Sequence, residues 1–271
     1  MDKQIDIIVA NPAGNTTIFV ITPFPRDNYQ EVAKQLLAMD QYQGEQVAFV
    51  LPPLKNAHGR MEMCGLEFCG NASRAFAIIT ANQLGLQGRQ VLSLDVSGCA
   101  DPLSVTIDTD TGYTKTSMPN PILVKTMTFD DILPMCKAQL VDLGGILHLV
   151  LFDVSANQAT FDQFKELLMK KYNPAALGVL FYDQKKEFLT PVVYVKDVDT
   201  TYFEGSCASG ALAVATAITE RESEGIHTFT FKQPKGAVTV TITKKANQIE
   251  SLYLEGPVTL SPTISVTISL V

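Results

Sequence analysis

Two short stretches decide most of what this chain can become. From Gly70 to Leu84, and again from Ala211 to Thr219, alanine and other small or apolar residues stand on nearly every side of a helix. A helix that is apolar all round belongs in a core, so the remaining sequence must enclose two such helices. Each run is entered through a cysteine: Gly65-Leu66-Glu67-Phe68-Cys69-Gly70-Asn71-Ala72-Ser73-Arg74 in the first case and Gly205-Ser206-Cys207-Ala208-Ser209-Gly210 in the second.

A cysteine at a helix start lies where unpaired N–H groups collect and where the helix dipole favours negative charge, so a thiolate is expected there over a thiol. Two such cysteines, one in each half of a chain, suit a reaction in which one removes a proton from a carbon while the other delivers a proton to the opposite face. The leading N–H groups, those of Gly70 and Asn71 after the first cysteine and of Ala208 and Ser209 after the second, would grip a carboxylate whose charge grows as the proton leaves. The competing readings are a metal site and a repeat with only a structural role. Free cysteine is often a small buried hydrophobe, which is the reading for Cys64, Cys99 and Cys136.

The segments around the two runs read mostly as strands. Ile5–Ala10 and Thr17–Thr22 flank the turn residues Asn11-Pro12-Ala13-Gly14-Asn15 and form a hairpin with a polar tip. A helix capped by Asp27 or Asn28 runs to about Ala38, and strands follow near 45–50 and 61–64. After the first buried helix come strands at 91–96, 103–107 and 113–118, then the boundary Pro119-Asn120-Pro121. The same order recurs beyond it: strands at 122–126, 139–143 and 148–152, a helix over 161–171 capped by Thr160, strands at 178–182 and 191–195, Cys207 with its helix to about Glu220, and strands at 228–232, 237–243, 251–255 and 263–270. The expected fold is α+β, with two pseudo-symmetric lobes, each a mixed β-sheet wrapped around a central hydrophobic helix. The lobes span residues 1–120, joined by the C-terminal strand at about 257–271, and residues 121–256. Strict βαβ alternation is missing, which argues against a doubly wound sheet.

Composition narrows the function. A net charge of −7, with Lys and Arg scattered, excludes the basic surface that nucleic acid requires. The first residues lack the features of a secretory signal, and no apolar run is long enough to span a bilayer. A cytoplasmic protein with a small-molecule ligand is expected, its five cysteines kept as thiols. Cys64, Cys69 and Cys99 lack the spacing of a zinc knuckle, so no metal is expected. Lys125 and Lys196 come with no glycine-rich phosphate cradle, so pyridoxal phosphate is not expected either, and no cofactor is assigned.

Other polar residues have two readings each. Asn15 and Asn71 are turn and helix-start residues that also suit substrate contact. Glu45 is the solvated end of a strand or a substrate carboxylate. His148, inside Leu147-His148-Leu149-Val150, is a satisfied core histidine or a site residue. Glu204, three residues before Cys207, caps its loop or touches substrate.

Several motifs, in order, resemble the cofactor-independent diaminopimelate epimerase superfamily: Asn11-Pro12-Ala13-Gly14-Asn15, Glu67-Phe68-Cys69-Gly70-Asn71-Ala72, Met118-Pro119 and Ser206-Cys207-Ala208-Ser209-Gly210. The resemblance covers essentially the whole chain. It implies two pseudo-symmetric lobes with a cleft, Cys69 and Cys207 as paired acid and base, and a homodimer. The family's Cys-Gly-Asn-Gly-Ala-Arg is here Cys69-Gly70-Asn71-Ala72-Ser73-Arg74, its Gly-Asn-Pro-His is Gly145-Ile146-Leu147-His148, and its Glu-Arg-Gly loop shrinks to Phe203-Glu204-Gly205-Ser206. The residues expected to read the distal end of diaminopimelate are therefore missing. With Glu45-Gln46-Val47, Val96-Ser97-Gly98-Cys99 and Glu204 before Cys207, the chain is more similar to the histidine racemase branch of opine metallophore synthesis. Relatives in phenazine biosynthesis also carry a glutamate like Glu45 but lack the second cysteine. The expected activity is thus cofactor-independent amino-acid racemisation, histidine being the favoured substrate. The alternatives are racemisation or epimerisation of another amino acid, or amino-acid binding without turnover. The substrate contacts implied are Asn15, Glu45, Gly70, Asn71, His148, Glu204, Ala208 and Ser209.

Overall fold

The computed structural model describes residues 2–54, 56–129, 131–134, 136, 138–196 and 199–270. The chain divides into two compact units, Met1–Ser117 with Glu255–Val271, and Met118–Leu254. The first unit thus ends ahead of the Pro119-Asn120-Pro121 stretch. No helix among the described residues is long and apolar enough to cross a membrane.

In the first unit, β1 (Asp2–Asn11) and β2 (Thr17–Val20) form an antiparallel hairpin with Ile7 opposite Val20 and Ala10 opposite Thr17. Its tip turns through Ala13 and Gly14, at φ 64° and 88°, and the Asn11 side chain accepts from the Gly14 N–H at 2.6 Å. The helix α1 (Tyr29–Leu37) follows a short 3-10 turn at Arg26–Asn28, and neither Asp27 nor Asn28 caps it through its side chain, contrary to expectation. Tyr29, Val32, Ala33 and Leu36 of α1 are buried in a cluster that includes Ile5, Ile7, Val47 and Phe49.

Strand β3 (Gln46–Leu51) then runs parallel to β2, with Gln46 beside Thr17, and β4 (Gly59–Met63) returns antiparallel to it. The first apolar run becomes α2 (Gly70–Gln83), buried at every residue from Gly70 to Ala81. Close approach explains a glycine here: a Cβ on Gly59 would fall 2.7 Å from Thr80 Oγ1 and 3.0 Å from the Phe76 ring. The meander β5 (Arg89–Val96), β6 (Leu103–Asp108) and β7 (Tyr113–Ser117) lends Leu92, Leu94, Val105 and Ile107 to the core around α2. Each such side chain, fully buried, contributes about 1.5–3 kcal/mol. The chain's last strands, Thr259–Leu260 and Ile264–Ser269, pair antiparallel with β1, so the C-terminal segment belongs to this unit.

The second unit opens with an antiparallel meander, β8 (Leu123–Met127), β9 (Ala138–Asp142) and β10 (Leu147–Phe152). The helix α3 (Gln158–Tyr172) carries the chain over to β11 (Ala176–Asp183), which pairs parallel with β10. Asn157 caps α3, accepting from the Thr160 N–H at 2.8 Å. The cap therefore lies three residues ahead of the expected one at Thr160, because Asn157 has the extended backbone and short acceptor that a cap requires. Next come β12 (Phe188–Val195) and the short β13 (Thr200–Phe203), then α4 (Ala208–Thr219), and finally β14 (Gly225–Gln233), β15 (Gly236–Lys245) and β16 (Gln248–Pro257).

All six residues of β10 are buried. Because side chains alternate along a strand, Leu147, Leu149 and Leu151 share one face and pack with Phe161, Phe164 and Leu168 of α3. His148 takes the other face. At the far end of α4, Lys244 donates to the carbonyls of Thr219, Glu220 and Glu222 at 3.0, 3.1 and 2.9 Å, satisfying acceptors that a helix end leaves open. Both units mix parallel and antiparallel pairing with helix, so the fold class is α+β.

Candidate active site

Cys69 is the N-cap of α2. Its backbone is extended, at φ −132° and ψ 109°, and its sulfur accepts the Ala72 N–H at 3.5 Å. The Cys69 carbonyl is held by the Ser73 N–H at 2.9 Å and the Ser73 hydroxyl at 2.8 Å. The parallel pairing that places Gln46 beside Thr17 also aims the Gln46 amide at this sulfur. Its Nε2 lies 3.3 Å from Cys69 Sγ, 2.9 Å from Thr17 Oγ1 and 2.6 Å from Asn15 Oδ1. Asn15 in turn donates to Glu45 Oε2 at 3.0 Å. The candidates Asn15, Glu45 and Cys69, far apart in sequence, thus form one hydrogen-bonded line through Gln46.

Gly70 and Asn71 are the first residues of α2, and both are buried. The Asn71 N–H also supports the Cys69 sulfur, and its side chain accepts from Arg74 Nη2 at 3.1 Å.

Cys207 repeats the local geometry in the other unit. It is the N-cap of α4 at φ −124° and ψ 110°, and its sulfur accepts the Gly210 N–H at 3.4 Å. Ala208 and Ser209 open that helix. The Ser209 hydroxyl stands 3.4 Å from Cys207 Sγ and 3.1 Å from His148 Nε2, so Cys207, Ser209 and His148 form a second line. Gln233, at the end of β14, clamps the Cys207 backbone: its Oε1 accepts the Cys207 N–H at 2.6 Å and its Nε2 donates to the Cys207 carbonyl at 3.3 Å. Glu204 also hydrogen-bonds the thiol.

The expected thiolates are not what these surroundings favour. Burial pushes the Cys69 thiol up; the Ala72 N–H, the Gln46 amide and the Asn71 N–H work in the opposite direction, while the Glu67 charge adds to the rise. Burial pushes Cys207 further, well above the usual thiol value, and the charge and hydrogen bond of Glu204 add to it against the Ser209 hydroxyl and Gly210 N–H. Loss of water costs a charged sulfur more than the N–H groups return. Both residues are therefore thiols at neutral pH in this structure. Burial also lowers His148 to about 3, so its imidazole is neutral.

Of the residues that carry this geometry, Gln46, Gln233 and Arg74 were not among the sequence-derived candidates. Gln46 stands inside a strand motif beside Glu45. Gln233 precedes Pro234, a polar strand end with no motif. Arg74 lies in a helix whose every other early residue is small. Two signals stood for it: its incongruity there, and its match to the last residue of the motif Cys-Gly-Asn-Gly-Ala-Arg.

The family model of the histidine racemase CntK N-terminal domain matches residues 4–264. A histidine racemase of Fusobacterium nucleatum subsp. nucleatum is 30% identical over 266 residues, 94% of either chain. One of Staphylococcus aureus is 27% identical over 257 residues, 92% of either chain. Among solved structures, a Bacillus anthracis phenazine biosynthesis protein of the PhzF family superposes with a TM-score of 0.71 at 14% identity, covering 97% of this chain and 99% of its own, and it shares the fold.

Proposed function

We propose, from the premise that this chain belongs to the histidine racemase CntK N-terminal domain family, that it interconverts L- and D-histidine by proton transfer at Cys69 and Cys207. That it is an isomerase of the amino-acid racemase class follows from its relatives. The histidine substrate, the two-thiol mechanism and the independence from pyridoxal phosphate are our reading.

The observation that carries it is the doubled half-site: a cysteine at the N-cap of a buried helix, in the same backbone conformation, with its sulfur on the N–H three residues ahead. In the reaction one sulfur, as thiolate, takes the α-proton. The S–H bond forms as the C–H bond breaks, and the electron pair moves into the α-carboxylate. The leading N–H groups of α2 and α4 supply the donors that stabilise this enediolate-like charge. The other thiol gives its proton to the opposite face of the carbon, which inverts the centre and leaves that sulfur as the thiolate for the reverse direction. Raised thiol pKa values suit this chemistry, because a less acidic thiol makes a stronger base once it ionises.

The substrate's side chain enters the reading through Glu45, whose carboxylate already accepts from Asn15 and is exposed. A carboxylate at that place accepts an imidazole N–H. His148, Ser209 and Glu204 act on Cys207, holding it in position as proton donor.

Purified protein with L-histidine in deuterated water, and no pyridoxal phosphate, tests the proposal. Histidine is expected to exchange its α-proton fastest among the twenty L-amino acids. Exchange of another amino acid in preference to histidine would overturn the substrate, and exchange of none would overturn the activity.

A further inference from the structure

The imidazole of His148 is fully buried, and its two ring nitrogens meet different neighbours. Nε2 lies 3.1 Å from Ser209 Oγ, while Nδ1 is buried with no hydrogen-bond partner. What stands against Nδ1 is the backbone of Gly178, directly across the parallel pair. The point that a Cβ would take on Gly178 lies 3.4 Å from His148 Cγ, 2.6 Å from Cε1 and nearer still to Nδ1. A glycine carries an α-hydrogen in that direction, so a carbon-bound hydrogen is aimed at the outer edge of Nδ1.

This contact decides where the ring keeps its proton. A neutral imidazole has one N–H and one bare nitrogen, and the neighbours of the two nitrogens choose between the tautomers. An N–H at Nδ1 would run against the Gly178 hydrogen and stay buried without an acceptor, at the full cost of its lost hydration. A bare Nδ1 meets a weak C–H donor there instead. The doubly protonated ring has the same clash and adds a buried charge. With its hydrogen on Nε2, His148 donates to Ser209 Oγ, and the hydroxyl must turn its own hydrogen elsewhere. The other atom within reach is Cys207 Sγ, at 3.4 Å, which also takes the Gly210 N–H at 3.4 Å. All these residues belong to one unit.

We infer that His148 is a positioning residue, held by Gly178 as the Nε2–H tautomer, and that it turns the Ser209 hydroxyl into a fixed donor to the Cys207 sulfur. The direction of these bonds has a chemical consequence. Ser209 spends its hydrogen on the sulfur, and His148 has no bare nitrogen on that side to receive a proton. His148 is therefore not the base that ionises Cys207. The thiol hydrogen is kept for the substrate carbon, and once it has left, an O–H and an N–H already face the thiolate. The catalytic meaning rests on the two-thiol reading above; the tautomer and the direction of the bonds do not.

The test begins with a long-range proton–nitrogen correlation spectrum of the folded protein, isotopically labelled in its histidine nitrogens. The chain has three histidines, and His58→Gln and His227→Gln, neither at a buried position, identify the signals of His148. His148 is expected to show a protonated Nε2 and a bare Nδ1 at neutral pH. A protonated Nδ1, or an average of the two tautomers, overturns the inference. The direction at Ser209 is read from the S–H stretch in the infrared, the Cys207 band being assigned by its loss in Cys207→Ser. A thiol that donates a hydrogen bond stretches at lower frequency, so the band is expected to stay in place in Ser209→Ala; a rise would show that Cys207 donates to Ser209 and overturns the direction. In turnover, Ser209→Ala is expected to lower kcat by about 10–100-fold with KM little changed, and Ser209→Thr to restore most of it. An unchanged kcat in Ser209→Ala overturns the part these bonds play in catalysis. A wild type that exchanges no amino acid, yet shows the expected tautomer and an unmoved band, overturns the racemase reading alone.

Discussion

His148 and Gly178 face each other across the parallel pair β10 and β11, and the imidazole fills the space that a side chain at position 178 would need. A Cβ on Gly178 would fall 2.6 Å from His148 Cε1 and closer still to Nδ1. The substitution Gly178→Ala is expected to push the ring off Ser209 and to destabilise the fold by about 1–3 kcal/mol, the usual cost of overpacking. Urea unfolding measures the loss; an unchanged midpoint would show that the ring has room to move.

Because burial lowers His148 from 6.5 to about 3, the unfolded chain binds a proton in that window that the folded chain does not. Stability then rises with pH through the window and falls on acidification below about 6.5, by up to about 1.4 kcal/mol per pH unit from this group. His148→Gln is expected to flatten that part of the curve, read as unfolding free energy between pH 4 and pH 7 in paired titrations. A slope unchanged by the substitution would assign the acid sensitivity to another group.

Gln46 gives the Cys69 sulfur a side-chain hydrogen-bond donor. Gln46→Leu is expected to lower turnover by about 10–100-fold, the worth of a hydrogen bond to a charged group, and to move the rising limb of the rate profile, along which the Cys69 thiolate forms, to higher pH. The pH dependence of kcat measures both, and a lower rate with an unmoved profile would limit Gln46 to holding Asn15 and Thr17.

Much of this arrangement was legible in the sequence, for physical reasons that also mark where legibility stopped. Alanine on all sides of 70–84 and 211–219 can only mean buried helices, and glycine, asparagine and serine beside Cys69 and Cys207 mark their first turns. Both cysteines are indeed the N-caps. The strand β13 escaped notice because Thr200–Phe203 is short and partly exposed, with none of the alternation a buried edge imposes. Gln46 and Gln233 reach the sulfur or backbone of a cysteine through sheet register, which no local pattern records. The thiolate expectation failed for a different reason: helix-start N–H groups are a local feature, whereas burial is set by everything packed around the sulfur, and burial is the larger effect at both sites.

Cys69→Ser and Cys207→Ser are each expected to cut racemisation by about 10²–10⁴-fold while leaving the fold intact, since serine preserves the cap but is a far weaker acid. Full activity in either variant would remove that residue from the proton transfer.

The most direct measurement follows histidine in deuterated water at the earliest stage of reaction, reading isotope and configuration together. With two thiols, the proton removed stays on one sulfur while the other delivers deuterium. The first D-histidine formed from L-histidine is therefore expected to carry deuterium at the α-carbon, with the remaining L-histidine still carrying hydrogen. Early D-histidine that retains its original hydrogen, or deuterium entering the L pool as fast as the D product forms, would contradict a reaction shared between Cys69 and Cys207.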